Sequence, residues 1–185
     1  MSGLVELTTR TPAQTRAIGR ALGRLLEAHD VLALAGPLGA GKTQLVKGVA
    51  SGLRVGRQEP VVSPTFVLVR EYHGRLRFYH VDAYRLSDPR ELAALGFEEM
   101  LADPAAAVAV EWADRVRALL PASAWWIVLD HVDLPGQRAD TDSRLRRVRL
   151  ELPDARRAGV LRQALARIPG LGIDSSGSSP QTFTE

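Results

Sequence analysis

Residues Gly36 to Thr43 fit G-x-x-x-x-G-K-[ST] at every fixed position, and this stretch restricts the possible folds more than any other. The motif demands a strand before it and a helix after it. Val31 to Ala35 is a short apolar run with the length and branching of a buried parallel strand. After Thr43, the residues Leu45, Val46, Val49 and Ala50 recur at helical spacing on one face. Gly36, Gly39 and Gly41 have no Cβ, so a loop running from Gly36 through Leu38 and Ala40 can take positive φ and curl its N–H groups around an anion. In that loop Lys42 supplies a cation for β- and γ-phosphates, and Thr43 a hydroxyl for Mg²⁺. The plain alternative is a glycine-rich turn that binds nothing; lysine, threonine and both flanking elements weigh against it.

A chain of 185 residues can bury one sizeable core and is short for two ordinary domains. With 45% hydrophobic and 24% charged residues it reads as an ordinary soluble chain. There is no apolar run approaching about 18 residues and no charged-then-apolar start, so neither a membrane span nor a signal peptide is expected. The absence of cysteine excludes disulfides and thiolate zinc sites, and a cytoplasmic location suits an ATP user. The net charge of +3 raises the question of nucleic acid. Its densest basic group, Arg144, Arg146, Arg147 and Arg149, alternates as a solvated strand face would, and no stacking aromatics accompany it.

The pattern predicts an α/β fold: a single P-loop NTPase domain over residues 1–168, its sheet mixed but mostly parallel, with flanking helices and antiparallel hairpins. Gly3 to Thr8 reads as an edge strand, and Thr11-Pro12 as the cap and first residue of a helix reaching about Ala28. Val61 to Tyr72 and Arg75 to Asp82 read as a hairpin about His73-Gly74. Ala105 to Val110 has no polar face and reads as a central parallel strand. Trp125 to Val132 and Leu145 to Leu152 form a second predicted hairpin, followed by a helix from Asp154 to Ile168 with four arginines on its polar side. Residues 169–185 are tail-like in composition and predicted to be disordered.

Two acids end apolar strands. Asp82 is a Mg²⁺ ligand, direct or through water, or a surface residue opening a turn. Glu111 closes the central strand at the carboxyl edge, where the ligand crevice of such sheets lies, and is the stronger candidate for holding Mg²⁺ or positioning water. Trp112, next to it, belongs either to the core or beside a nucleotide. Ser63 and Thr65 either face a γ-phosphate, as a switch segment does, or cap a turn.

Five motifs now stand in order: Gly-x-Leu-Gly-Ala-Gly-Lys-Thr, Ser-Pro-Thr-Phe, His-x-Asp-x-Tyr-Arg-Leu, Gly-Phe-Glu-Glu and Val-Glu-Trp. Together they resemble the bacterial TsaE (YjeE) family over about residues 4–150. The resemblance implies an ATPase needed for threonylcarbamoyladenosine modification of tRNA. It implies ATP and Mg²⁺ as cofactors and a TsaB–TsaD heterodimer as partner, whose complex ATP hydrolysis drives or resets, with tRNA met only through that complex. It assigns Lys42 and Thr43 to phosphate and Mg²⁺, Glu111 to Mg²⁺, Asp82 to hydrolysis, Trp112 to the nucleotide's surroundings and Ser63 to Phe66 to a switch-like loop. Thr11 and Arg138 or Arg144 are the corresponding guesses for the adenine side. Pro37 departs from the family, which usually has aspartate there. It removes a backbone N–H and a carboxylate from the outer loop.

Two other functions compete. A P-loop small-molecule kinase would need an arginine-bearing lid, and Glu98 to Val110 offers no arginine. A nucleotide-gated adapter without turnover shares all of these motifs.

Overall fold

The computed structural model describes residues 3–56, 58–132 and 145–173. Along the chain these form β1 (Gly3–Thr9), α1 (Pro12–Leu25), β2 (Val31–Ala35), α2 (Lys42–Gly52), β3 (Val69–His73) and β4 (Arg77–Asp82). There follow α3 (Pro89–Ala93), α4 (Phe97–Ala102), β5 (Ala106–Glu111), a 3₁₀ helix (Ala113–Leu119), β6 (Trp125–His131), β7 (Arg146–Leu152), α5 (Ala155–Leu165) and β8 (Gly172–Ile173). Among the described residues the eight strands make one mixed sheet in the order β3-β4-β5-β2-β6-β7-β1-β8. Its centre, β4-β5-β2-β6, is parallel, and both wings are antiparallel. Burial explains the arrangement. β2 and β5 are almost continuously apolar and lie in the middle with helices on both faces, while the wings carry alternating polar positions.

One face of the sheet packs against α1, α2 and α5, the other against α3, α4 and the 3₁₀ helix. The α1–α2 contact is unusually close. Added Cβ atoms at Gly19 and Gly48 would lie 2.0 Å from Leu45 O and 2.1 Å from Arg16 O. Gly23 and Gly52 repeat the contact one turn later, against Val49 O and Arg20 O, so the two helices run in the same direction. Two positions four apart on each helix are therefore glycine because the neighbouring backbone occupies the side-chain space.

Several expectations change. Only the last third of the predicted Val61–Tyr72 strand forms, from Val69. Pro64 has no N–H for a ladder, and the chain turns before β3, where Leu68 takes φ +64° and donates to Pro64 O at 2.6 Å. β1 is not the sheet edge, because Gly172 and Ile173 pair with Thr8 and Leu7. The described chain thus continues past Pro169 to Ile173, held also by Gln14 Nε2, which donates to Gly170 O at 2.9 Å. On α5, Arg157 leaves the polar side. It donates to Leu25 O at 2.6 Å, pairs with Asp30 at 2.5 Å and lies 4.3 Å from the Trp125 ring centroid. No helix among the described residues is long and apolar enough to cross a membrane.

On an open helix face Gly48→Ala would add about 1 kcal/mol of stability through helix propensity. Here the methyl would meet Arg16 O, and we expect a net loss of about 1–3 kcal/mol from overpacking. Urea unfolding measures it as a lower midpoint; a raised midpoint would contradict the close contact.

Candidate functional site

The loop after β2 turns on three glycines at positive φ, Gly36 (+132°), Gly39 (+77°) and Gly41 (+106°). At Gly36 a Cβ would also lie 2.0 Å from Leu129 O, so glycine is required there twice over. Ala40 is fully buried and anchors the loop, whereas Leu38 stands 73% exposed. Pro37 contributes its carbonyl, which accepts from Ala40 N at 3.2 Å and Lys42 Nζ at 2.9 Å, so its missing N–H is not used in either contact.

Lys42 opens α2 and is buried. Its Nζ also donates to Gly36 O at 2.6 Å and lies 3.8 Å from the centroid of the Trp112 ring. Burial holds this ammonium below the ordinary lysine range, and the negative charges of Glu111, Asp82 and Asp114 oppose that shift. Trp112 reaches the lysine because its backbone takes φ +58°, a costly conformation for a bulky residue and one that clusters at functional sites. Its ring packs on Tyr84 at 5.0 Å between centroids.

Sheet register brings the acids together. Asp82 on β4 pairs with Glu111 on β5, which in turn pairs with Leu34 on β2, directly below the loop. Glu111 Oε2 accepts from Thr43 Oγ1 at 2.9 Å, and Oε1 lies 2.9 Å from His80 Nε2. Asp82 Oδ1 accepts from Tyr84 N at 3.0 Å. Its Oδ2 accepts from Thr65 Oγ1 at 2.9 Å and from Ser63 Oγ. The hydroxyls of the Ser63–Phe66 segment therefore bind the acid of β4. They are not free turn caps.

Lys42, Thr43, Ser63, Thr65, Asp82, Glu111, Tyr84 and Trp112 line one cavity of about 410 Å³. A second, of about 360 Å³, shares Gly39, Gly41 and Gln44 with it and extends to Thr9, Thr11, Thr15, Ala40 and Arg146. Thr11 is thus at a cavity wall, but its hydroxyl is engaged as the α1 cap, accepting from Gln14 N at 3.2 Å. Arg138 and Arg144 lie outside the described residues. Sequence reasoning gave no site role of their own to His80 and Tyr84, although both stand in the His-x-Asp-x-Tyr-Arg-Leu motif, nor to Gln44 and Arg146. His80 had a signal, since period two puts it on the face of Asp82. Arg146 and Gln44 had none.

The donors are hydroxyl and carboxylate oxygens, the set that suits a hard cation such as Mg²⁺. Among the described residues no group of three or more metal-ligating side chains forms. A full protein cage is not needed by an ion that takes one or two carboxylates plus phosphate oxygens.

A profile of the family described as Threonylcarbamoyl adenosine biosynthesis protein TsaE matches residues 9–139. The tRNA threonylcarbamoyladenosine biosynthesis protein TsaE of Treponema pallidum is 44% identical over 117 residues, spanning 63% of this chain and 84% of that protein. Its namesake in Bacillus subtilis is 40% identical over 122 residues, 65% of this chain and 74% of the relative. The crystal structure of YdiB from Bacillus subtilis is similar with a TM-score of 0.68 and 30% identity, covering 90% of this chain and 97% of that one.

The Asp82 anchorage can be tested without any ligand. Asp82→Ala removes the acceptor of both loop hydroxyls, so chymotrypsin should cut after the 83% exposed Phe66 faster than in the parent chain. Loss of two hydrogen bonds to a carboxylate predicts a rate increase of at least about tenfold. An unchanged cleavage rate would mean that the loop is held by something else.

Proposed function

Since the chain belongs to the TsaE family, with its part in tRNA threonylcarbamoyladenosine biosynthesis, we propose that it is a Mg²⁺-dependent ATPase working with a TsaB–TsaD partner. The observation that supports this most is the convergence of Lys42, Thr43, Asp82 and Glu111 on one cavity beside the glycine loop. On this reading the β- and γ-phosphates lie over Gly39 to Thr43, and the nucleoside occupies the second cavity between Thr11 and Arg146. Thr43 and Glu111 hold Mg²⁺, with Asp82 close by. The ion, when bound, neutralises charge on the phosphate oxygens. Lys42 turns its ammonium from the loop carbonyls toward the phosphates. Asp82, its Oδ1 fixed by Tyr84 N–H, orients the attacking water through Oδ2 once the Ser63 and Thr65 hydroxyls turn to the γ-phosphate.

The kinase alternative finds less support. α4 packs by the amino ends of β2 and β5, where Leu101 O meets His29 Nδ1 at 3.3 Å, so it does not cover the cavity. The large apolar side chain of Leu38, exposed in the cavity lining, and that of Phe66, exposed next in sequence to the lining residue Thr65, favour a partner-covered site.

Calorimetry with ATP and phosphate-release assays test the core of the proposal. Lys42→Ala should weaken ATP binding by roughly 10- to 150-fold, the equivalent of about 1.5–3 kcal/mol for a charge-assisted contact. Asp82→Ala should bind ATP yet release little phosphate. Full ATP affinity in Lys42→Ala would remove the site assignment.

The partner is tested by linkage. If the Ser63–Phe66 segment senses the γ-phosphate, TsaB–TsaD should bind the chain more tightly with a non-hydrolysable ATP analogue than with ADP. It should raise affinity for that nucleotide by the same factor. Equal affinities at matched Mg²⁺ would leave nucleotide binding in place and exclude a nucleotide-driven switch.

A further inference from the structure

His80 lies on β4 two residues before Asp82, with its side chain fully buried. Nε2 faces Glu111 Oε1, and a carboxylate can only accept, so that nitrogen carries the proton. Nδ1 has no hydrogen-bond partner among the described residues. Phenylalanine or leucine would fill a buried strand position with no polar atom left over, so packing does not account for an imidazole here.

We propose that His80 is a positioning residue that fixes the Glu111 carboxylate for the cation accompanying the nucleotide. The inference rests on the Mg²⁺-nucleotide reading given above. The two oxygens of Glu111 have different partners. Oε2 accepts from the Thr43 hydroxyl, whose lone pairs stay free to face a cation. Oε1 is bonded to His80, and nothing in cation binding breaks that contact. It stops the carboxylate from swinging toward the nearby ammonium of Lys42, which attracts it electrostatically. Without His80, the Glu111 carboxylate swings away from the cation position, while Lys42 keeps its own contacts with the glycine loop.

The test measures ADP affinity by calorimetry in EDTA and at stepped Mg²⁺, for the parent, His80→Phe and His80→Gln. Groups that orient a metal ligand typically change metal affinity by about 10–100-fold, and His80→Phe should raise the half-effective Mg²⁺ concentration by that factor. Its ADP affinity in EDTA should stay within about twofold of the parent, because the Mg²⁺-free contacts are untouched. His80→Gln places an amide N–H near the position of Nε2 and should recover most of the response. In a Glu111→Gln background, His80→Phe should add nothing further. A folded His80→Phe chain with the parent's Mg²⁺ response overturns the proposal, as does an equal loss with and without Mg²⁺. If phenylalanine prevents folding, His80→Asn, whose amide stops short of Glu111, takes its place against His80→Gln. A parent chain indifferent to Mg²⁺ overturns the reading beneath, whereas a responsive parent with an indifferent variant overturns only the role of His80.

Discussion

An ammonium and two carboxylates, Lys42, Asp82 and Glu111, are buried side by side at the carboxyl edge of the parallel strands. Taking one such ion out of water costs several kcal/mol unless it is paired and hydrogen-bonded. Much of the surrounding structure meets that demand. The glycine loop turns two carbonyls onto Lys42, and Trp112 accepts a strained backbone to lay its ring against the same ammonium. The Ser63–Phe66 segment abandons the strand that its sequence suggests and folds its hydroxyls onto Asp82. Glu111 is clasped from α2 and from β4.

The same groups are those through which the chain would bind a phosphate or a cation. In the free protein they satisfy one another, so a ligand at the proposed site would exchange partners with them. Such an exchange keeps the buried charges compensated in both states. On the proposed reading it would also give the Ser63–Phe66 segment a second set of partners, which is the minimum requirement of a switch.

What was legible in the sequence is what depends on local pattern. The loop glycines, the strand of Ala106 to Val110 and the Thr11-Pro12 helix start all follow from residues next to one another. Asp82 and Glu111 were recognisable as strand-end acids, but their pairing across β4 and β5 depends on strand order, which periodicity does not contain. The His80 contact with Glu111 was hidden for the same reason: the two residues are on different strands. The 61–68 segment misled because branched and aromatic residues promise a strand, and the promise fails where Pro64 breaks the ladder and Asp82 draws the hydroxyls away. Arg157 was read as a surface arginine because composition cannot tell that Asp30 and the Trp125 face are waiting for it.

The glycine contact between α1 and α2 has an electrostatic consequence. Because the helices run in the same direction, their peptide dipoles add instead of cancelling, and a parallel pair at backbone contact is repulsive unless its ends are compensated. Each amino end carries the equivalent of about half a positive charge. Neither helix has an acid in its first turn to neutralise it. The start of α2 lies at the first cavity and that of α1 at the second, with Arg16 bonded to Gln44 between them at 2.6 Å. The pair therefore delivers two positive poles to one end of the sheet, that of α2 partly met by the Glu111 carboxylate on Thr43, and an anion spanning both cavities would relieve the rest of a repulsion that the close packing itself creates.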